Sequence, residues 1–237
     1  MSDNHESNIL VILINYFNDN EVVGFITNQL SKQQYVKYDI VIVNNGSNDF
    51  EKLKNLKLNN NSFHVIEPDR NLGYLNGAKL AFDFYCKSKP VPDFTILCNT
   101  DITFENGYFL ERIVNDPANK KAEVIGPAIF STLTSHQQNP IYEKRLSSKK
   151  IQFLLHIYNY YPLYIIYQLG TYLKRLIKKS PSNNSQEPKY VYAVHGSFLI
   201  FTKYFFEKGN TLTFPAFMYS EELFIAEQCL NTQSKIY

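Results

Sequence analysis

Short apolar runs rich in β-branched residues recur along the first half of the chain, at Ile9 to Ile14, Asp39 to Val43, Phe63 to Ile66, Phe94 to Cys98 and Glu123 to Ile125. Runs of this length predict buried strands. Between them lie stretches with helical spacing, clearest in Tyr74 to Lys87, where Leu75, Ala78, Ala81, Phe82 and Tyr85 share one face. Strands alternating with helices predict βαβ units, and so an α/β fold with a mostly parallel central sheet and helices on both faces. Such sheets bind ligands beyond the carboxyl ends of their strands. Four segments stand there: Asn15 to Asn18, Asn44 to Asp49, Asp69 to Gly73 and Asn99 to Asp101, all rich in Asn, Asp or Gly.

The rhythm breaks after residue 127. A polar stretch comes first, followed by 23 residues without a charge (Ile151 to Leu173), a basic cluster, a Ser/Pro/Asn linker at Ser180 to Pro188, and a buried-looking run from Tyr190 to Phe201. An acidic-aromatic segment, Phe214 to Glu227, leads to Lys235-Ile236-Tyr237, which resembles the start of another strand.

Composition narrows the function classes. Hydrophobic residues at 44% and charged residues at 19% exclude a disordered, collagen-like or coiled-coil chain. A formal net charge of +2 gives no basic excess of the kind nucleic-acid binders carry, so no nucleic-acid partner is expected. Three scattered cysteines, Cys86, Cys98 and Cys229, offer neither a disulfide framework nor a CxxC site, and are expected to be buried apolar residues. With a polar N-terminus, MSDNHESN, that predicts a cytoplasmic protein without a signal peptide.

Asn99-Thr100-Asp101 places a carboxylate just past a buried strand, where it is suited either to a divalent cation carrying a diphosphate or to an Asx-turn closing the strand. Asn45-Gly46 within VIVNNGSND allows a similar pair of readings, since Asn-Gly is a common turn. Glu221 and Glu222 suit a helix N-terminus as well as acid–base chemistry.

Taken in order, these segments resemble glycosyltransferase family 2, the inverting group with the nucleotide-sugar-binding GT-A fold. Ile9 to Asn18 resembles the family's first strand and its YN ending, and VIVNNGSND (41–49) resembles VVDNGSTD. NLGYLNGAK (71–79) is similar to N-x-G-F-A-x-G-x-N, and LCNTDI (97–102) to the LNPDV variant of the DxD motif. HGSFLIFTKYFFEKG (195–209) and FMYSEELFIAEQC (217–229) resemble the segments that carry the acceptor site and the catalytic ED pair.

The resemblance implies a single GT-A-like domain over 1–237: a nucleotide-sugar-binding half at 1–127, an insertion at 128–189, and an acceptor-side half at 190–237 that is cut short relative to the family. It implies donor contacts at Asn15, Tyr16, Asn18, Asn44, Asn45, Gly46, Asn71, Gly73, Lys79, Asn99, Thr100 and Asp101, with Asp101 holding Mg or Mn. His195, Gly196 and Ser197 would line the acceptor site, although His195 also suits a structural role. Glu222 would be the general base, supported by Glu221. Two departures stand out. Asn44 replaces an Asp and accepts a hydrogen bond more weakly. Lys79 replaces an Asn, and it either reaches a phosphate or lies along its helix. The implied activity is transfer of a sugar from a nucleotide-diphosphate donor to a glycan or lipid-linked acceptor, of the bacterial surface-polysaccharide type. A catalytically inactive nucleotide-sugar-binding module is the alternative.

Ile151 to Leu173 has the length to span a bilayer, which takes about 20 residues. Its six Tyr, with Gln152, His156, Asn159, Pro162, Gln168 and Gly170, argue against burial in lipid. Basic residues flank it from Lys144 to Lys150 and from Lys174 to Lys179. The expectation for 144–179 is an in-plane helical segment on an anionic inner-membrane face, or else a homo-oligomer interface.

Overall fold

The computed structural model describes residues 7–56, 62–133, 136–177 and 187–237. Its sheet contains β1 (Ile9–Asn15), β2 (Asp39–Asn44), β3 (Phe63–Ile66), β4 (Phe94–Cys98), β5 (Val124–Ile125) and β6 (Phe198–Thr202). Around it stand α1 (Asp19–Asn28), α2 (Phe50–Lys54), α3 (Tyr74–Cys86), α4 (Phe109–Asn115), α7 (Lys203–Glu207) and α8 (Glu221–Asn231), while α5 (Ser148–Asn159) and α6 (Tyr161–Ile177) lie within the 128–189 segment. The order across the sheet is β3-β2-β1-β4-β6-β5. The first four strands run parallel, and β6 enters antiparallel between β4 and β5.

Both sheet faces are covered, which is why the strands are continuously apolar rather than alternating. Along β1, Leu10 and Ile12 pack with Leu75, Ala78 and Phe82 of α3 and Ile225 and Ala226 of α8. The intervening Ile9, Val11 and Leu13 pack with Val22, Phe25 and Ile26 of α1 and with Leu110 and Ile113 of α4. The helical stripe expected from Leu75 to Tyr85 lies wholly in the first of these cores. The terminal Lys235-Ile236-Tyr237 extends the sheet, with Ile236 bridging Val124 and Val191. Cys98 and Cys229 are buried and Cys86 is half-buried, all as free thiols. Burial pushes the Cys229 thiol up to about 12.

The uncharged stretch is not one helix. The chain leaves helical geometry at Tyr160 (φ −121°, ψ 104°), and Pro162 falls in the first turn of α6, where its missing N–H has no intrahelical partner to lose. Among the described residues no helix is long and apolar enough to cross a membrane. Lys178, Lys179 and most of the expected linker lie outside the described residues.

Candidate active site

Strand order reverses between β1 and β4, the switch point where parallel sheets open a crevice. A cleft of about 470 Å³ lies there, lined by Ile14, Tyr16 and Asn18 after β1, Asn45 after β2, Asn71, Gly73 and Tyr74 before and within α3, and Asn99, Thr100 and Asp101 after β4. Glu21, Phe217 and Met218 complete the wall.

The floor of this cleft is a polar lattice. The Asn15 amide donates to Asp19 Oδ1 (2.7 Å), Asn44 Oδ1 (2.8 Å) and the Gly46 carbonyl (3.0 Å). Asp19 also accepts from the Ser47 hydroxyl (2.7 Å) and from the backbone N–H groups of Asn48 (2.8 Å) and Asp49 (3.0 Å). Burial raises the Asp19 pKa, but the hydrogen bonds from Ser47, Asn48, Asp49 and Asn15 outweigh it and hold the carboxyl below its ordinary 3.8. Asn15 and Asn44 are therefore buried beneath the cleft rather than part of its lining, and their polar atoms tie β1 to β2. Gly46, half-buried, packs against the rings of Tyr16 and Phe17, and a Cβ there would stand 2.9 Å from the Phe17 ring.

A second set of contacts holds the loop before α3. Asn45 donates to the Gly73 carbonyl (3.0 Å) and accepts from the Leu72 N–H (3.1 Å), while Asn71 accepts from the Gly73 N–H (2.8 Å). Gly73 has φ +78°, and a Cβ on it would lie 2.1 Å from the Phe217 carbonyl oxygen. Asn76 accepts from the Phe214 N–H (2.8 Å) and donates to its carbonyl (3.1 Å). The 214–217 segment is thereby clamped across the start of α3. Lys79 lies farther along that helix, paired with Asp83 at i+4, and does not line the cleft.

The acceptor-side residues meet the cleft through one peptide. The Gly196 N–H donates to Glu222 Oε1 at 3.2 Å, and its carbonyl accepts from the Tyr74 hydroxyl at 3.2 Å. A Cβ on Gly196 would stand 2.3 Å from Glu222 Oε1, so a larger residue here would push that carboxylate out of its present position. Glu221 is buried in the first turn of α8, where its charge complements the helix dipole. Burial raises the Tyr74 pKa well above 10, and the neighbouring Cys98, Glu222, Glu221 and Asp101 raise it further. Its hydroxyl thus stays protonated as the donor to the Gly196 carbonyl.

His195 is half-buried. Its backbone N–H donates to the Asn139 side chain (3.0 Å), and its Nδ1 lies 2.8 Å from the Ser197 hydroxyl and accepts from the Ser197 N–H (3.2 Å). The Ser197 carbonyl in turn accepts from the Asn99 N–H at 2.8 Å, joining this segment to the NTD motif.

Among the described residues no cluster of three or more His, Cys, Asp or Glu is built to hold a metal. A cation that arrives on a diphosphate needs only one or two protein carboxylates, with phosphate and water oxygens as its other ligands. Asp101, exposed in the cleft, fits that demand. The sequence reading missed Tyr74, Glu21, Asp19, Phe217 and Met218. Tyr74 had a signal in the glycine of its own motif, and Asp19 in its place just after the YN pair.

Among solved structures, the fold is similar to a mannosyltransferase from Pyrobaculum calidifontis in complex with GDP-Man and Mn2+, at 11% identity and TM-score 0.54 over 98% of this chain. It is similar also to the 1–349 segment of S. aureus TarS, at 13% identity and TM-score 0.56 over 97% of this chain, and to that segment in complex with UDP-GlcNAc, at 12% and 0.56. The chain spans 55% of the mannosyltransferase and 58% of the TarS segment. No curated protein sequence matches it. Residues 11–206, most of the chain and the segments from β1 to His195 though not Glu221 and Glu222, match the sequence pattern of Glycosyl transferase family 2, and the chain belongs to that family.

Proposed function

We propose that the protein is an inverting glycosyltransferase that moves a sugar from a nucleoside-diphosphate donor to a glycan or lipid-linked acceptor in building a bacterial surface polysaccharide. The observation that carries this reading is the cleft at the switch point, which is lined by Asp101 and Tyr74 and is joined through the Tyr74 hydroxyl and the Gly196 peptide to the Glu222 carboxylate behind it. The similar structures include complexes with GDP-Man and Mn2+ and with UDP-GlcNAc, which supports a nucleotide-sugar donor.

Tyr16, Asn18, Asn45 and Asn71, which line the cleft, would meet the nucleotide, and Asn99 and Thr100 its diphosphate. Asp101 would hold Mg or Mn, which when bound neutralises charge developing on the departing diphosphate. Glu222 removes the proton of the acceptor hydroxyl as that oxygen attacks the anomeric carbon. The bond to the diphosphate breaks on the opposite face, inverting the configuration. The Gly196 N–H fixes the Glu222 carboxylate, and the Tyr74 hydroxyl fixes the Gly196 carbonyl.

Nucleotide-sugar turnover with manganese, with and without glycan or lipid-linked acceptors, tests the assignment. Glu222→Gln should bind donor normally and lose ~10²–10⁴ in rate. An active Glu222→Gln beside a dead Glu221→Gln would reverse the pair. Donor binding without turnover in the wild-type chain would favour the inactive binding module.

A further inference from the structure

We infer that α5 and α6 form a docking surface for an anionic membrane, anchored to the helix that carries Glu222. In the two helices Ile157 is the one buried side chain among those described. Large apolar residues face outward instead: on α6, Ile166 is 66% exposed, Leu169 58%, Tyr172 61% and Leu173 56%, at the spacing of one helical stripe. On α5, Leu155 is 58% exposed. Soluble monomers seldom leave so dense an apolar surface open to water.

Charge selects the occupant. Residues 144–186 contain eight Lys or Arg and no Asp or Glu, which leaves sixteen basic and twenty-two acidic residues in the rest of the chain. A basic apolar segment on an otherwise acidic protein is complementary to anionic lipid headgroups. A two-fold contact between copies would set the same positive segments against each other. The break at Tyr160 and the absence of a spanning helix among the described residues favour helices lying in the plane of the interface.

Its attachment gives the surface a direction. Arg145, three residues before α5, makes two 2.7 Å bonds to the Glu227 carboxylate, which also accepts from the Tyr192 hydroxyl. Glu227 follows Glu222 on α8 by five residues, about 7.5 Å of helix. Docking therefore brings the acceptor side of the cleft close to the membrane, where a lipid-linked acceptor resides. That last step rests on the role proposed for Glu222, whereas vesicle binding stands without it.

Flotation of the full chain with vesicles is the test. Wild-type protein should float at low salt with phosphatidylglycerol-containing vesicles, remain behind with pure phosphatidylcholine, and be released by high salt. The double change Ile166→Ser and Leu169→Ser, and separately Lys149→Gln with Lys150→Gln, should each lower the bound fraction about tenfold or more while the melting temperature holds. Absence of flotation at low salt would overturn the inference, as would equal binding to both vesicle types. A dimer in solution that the Ile166 and Leu169 changes dissociate, without vesicle binding, would assign the surface to a second copy.

Discussion

The cleft loops and the α5–α6 pair both combine polar and aromatic residues, yet the protein treats them in opposite ways. In the loops around the ends of β1, β2 and β3, Asn15, Asn44, Asn45, Asn71 and Asp19 are tied to one another and to backbone groups across 2 to 31 positions of sequence, and the floor residues are excluded from water. In α5 and α6 the polar groups and most of the apolar ones face solvent. A buried polar lattice holds a fixed geometry because each unmet partner is costly. An open apolar surface has its use only against something outside the chain. A fixed geometry thus belongs to the cleft loops, and an open apolar surface to the α5–α6 arm.

The largest effect that sharpens this contrast is expected at Gly196. A methyl group there displaces the Glu222 carboxylate, so Gly196→Ala should lower turnover by ~10²–10⁴ while calorimetry shows donor binding preserved. Unchanged turnover would mean that the Gly196 peptide does not position Glu222. Next comes Gly73→Ala, which combines positive φ with a clash against the Phe217 carbonyl and should cost about 3 kcal/mol in urea unfolding, with donor affinity falling alongside.

These two glycines also mark what the sequence made legible. Their motifs were visible, as were β3, β4 and α3 nearly to the residue, because period and turn chemistry are local. The reason Gly196 must be small was not visible, since Glu222 lies 26 residues away and meets it only through the fold. That Asn15 and Asn44 lie beneath the cleft was not visible, because nothing local distinguishes an exposed Asn from one buried in side-chain hydrogen bonds, as Asn15 is with Asp19 and Asn44 with Asn15. The Lys79 pairing with Asp83 had a local signal in its i,i+4 spacing, and the break at Tyr160 had one in Pro162. The insertion of β6 antiparallel between β4 and β5 depends on strand pairing far apart in sequence.

A smaller effect is expected at the lattice itself. Asp19→Asn replaces an acceptor with an N–H donor facing backbone N–H groups and should cost about 2 kcal/mol at neutral pH. Because the Asp19 pKa is lowered in the fold, its ionised form contributes stability above the ordinary 3.8, and this is lost as pH falls through the depressed folded value. The gap between wild type and Asp19→Asn should therefore narrow in acid. Urea titrations at neutral pH and near pH 3 read it directly, and a constant gap would count against the charged lattice.

The smallest effect belongs to the arm. Ile166→Ser or Leu169→Ser should change unfolding free energy by about 0.5 kcal/mol or less, since neither side chain is buried. A loss of several times that would place α6 in the core and erase the contrast between the regions.

The central claim is that the cleft binds a nucleoside diphosphate together with a cation at Asp101. Thermal unfolding of wild-type protein and Asp101→Ala with UDP, GDP and dTDP, each with and without Mn2+, tests it most directly. At a ligand concentration of about 100 Kd, native-state binding adds about 2.7 kcal/mol, so one nucleotide with Mn2+ should raise the wild-type Tm by ~5–10 °C. Asp101→Ala should melt where the unliganded wild type does and lose most of that rise. A wild-type Tm that no nucleotide moves, or a manganese-dependent rise that survives in Asp101→Ala, would contradict the account.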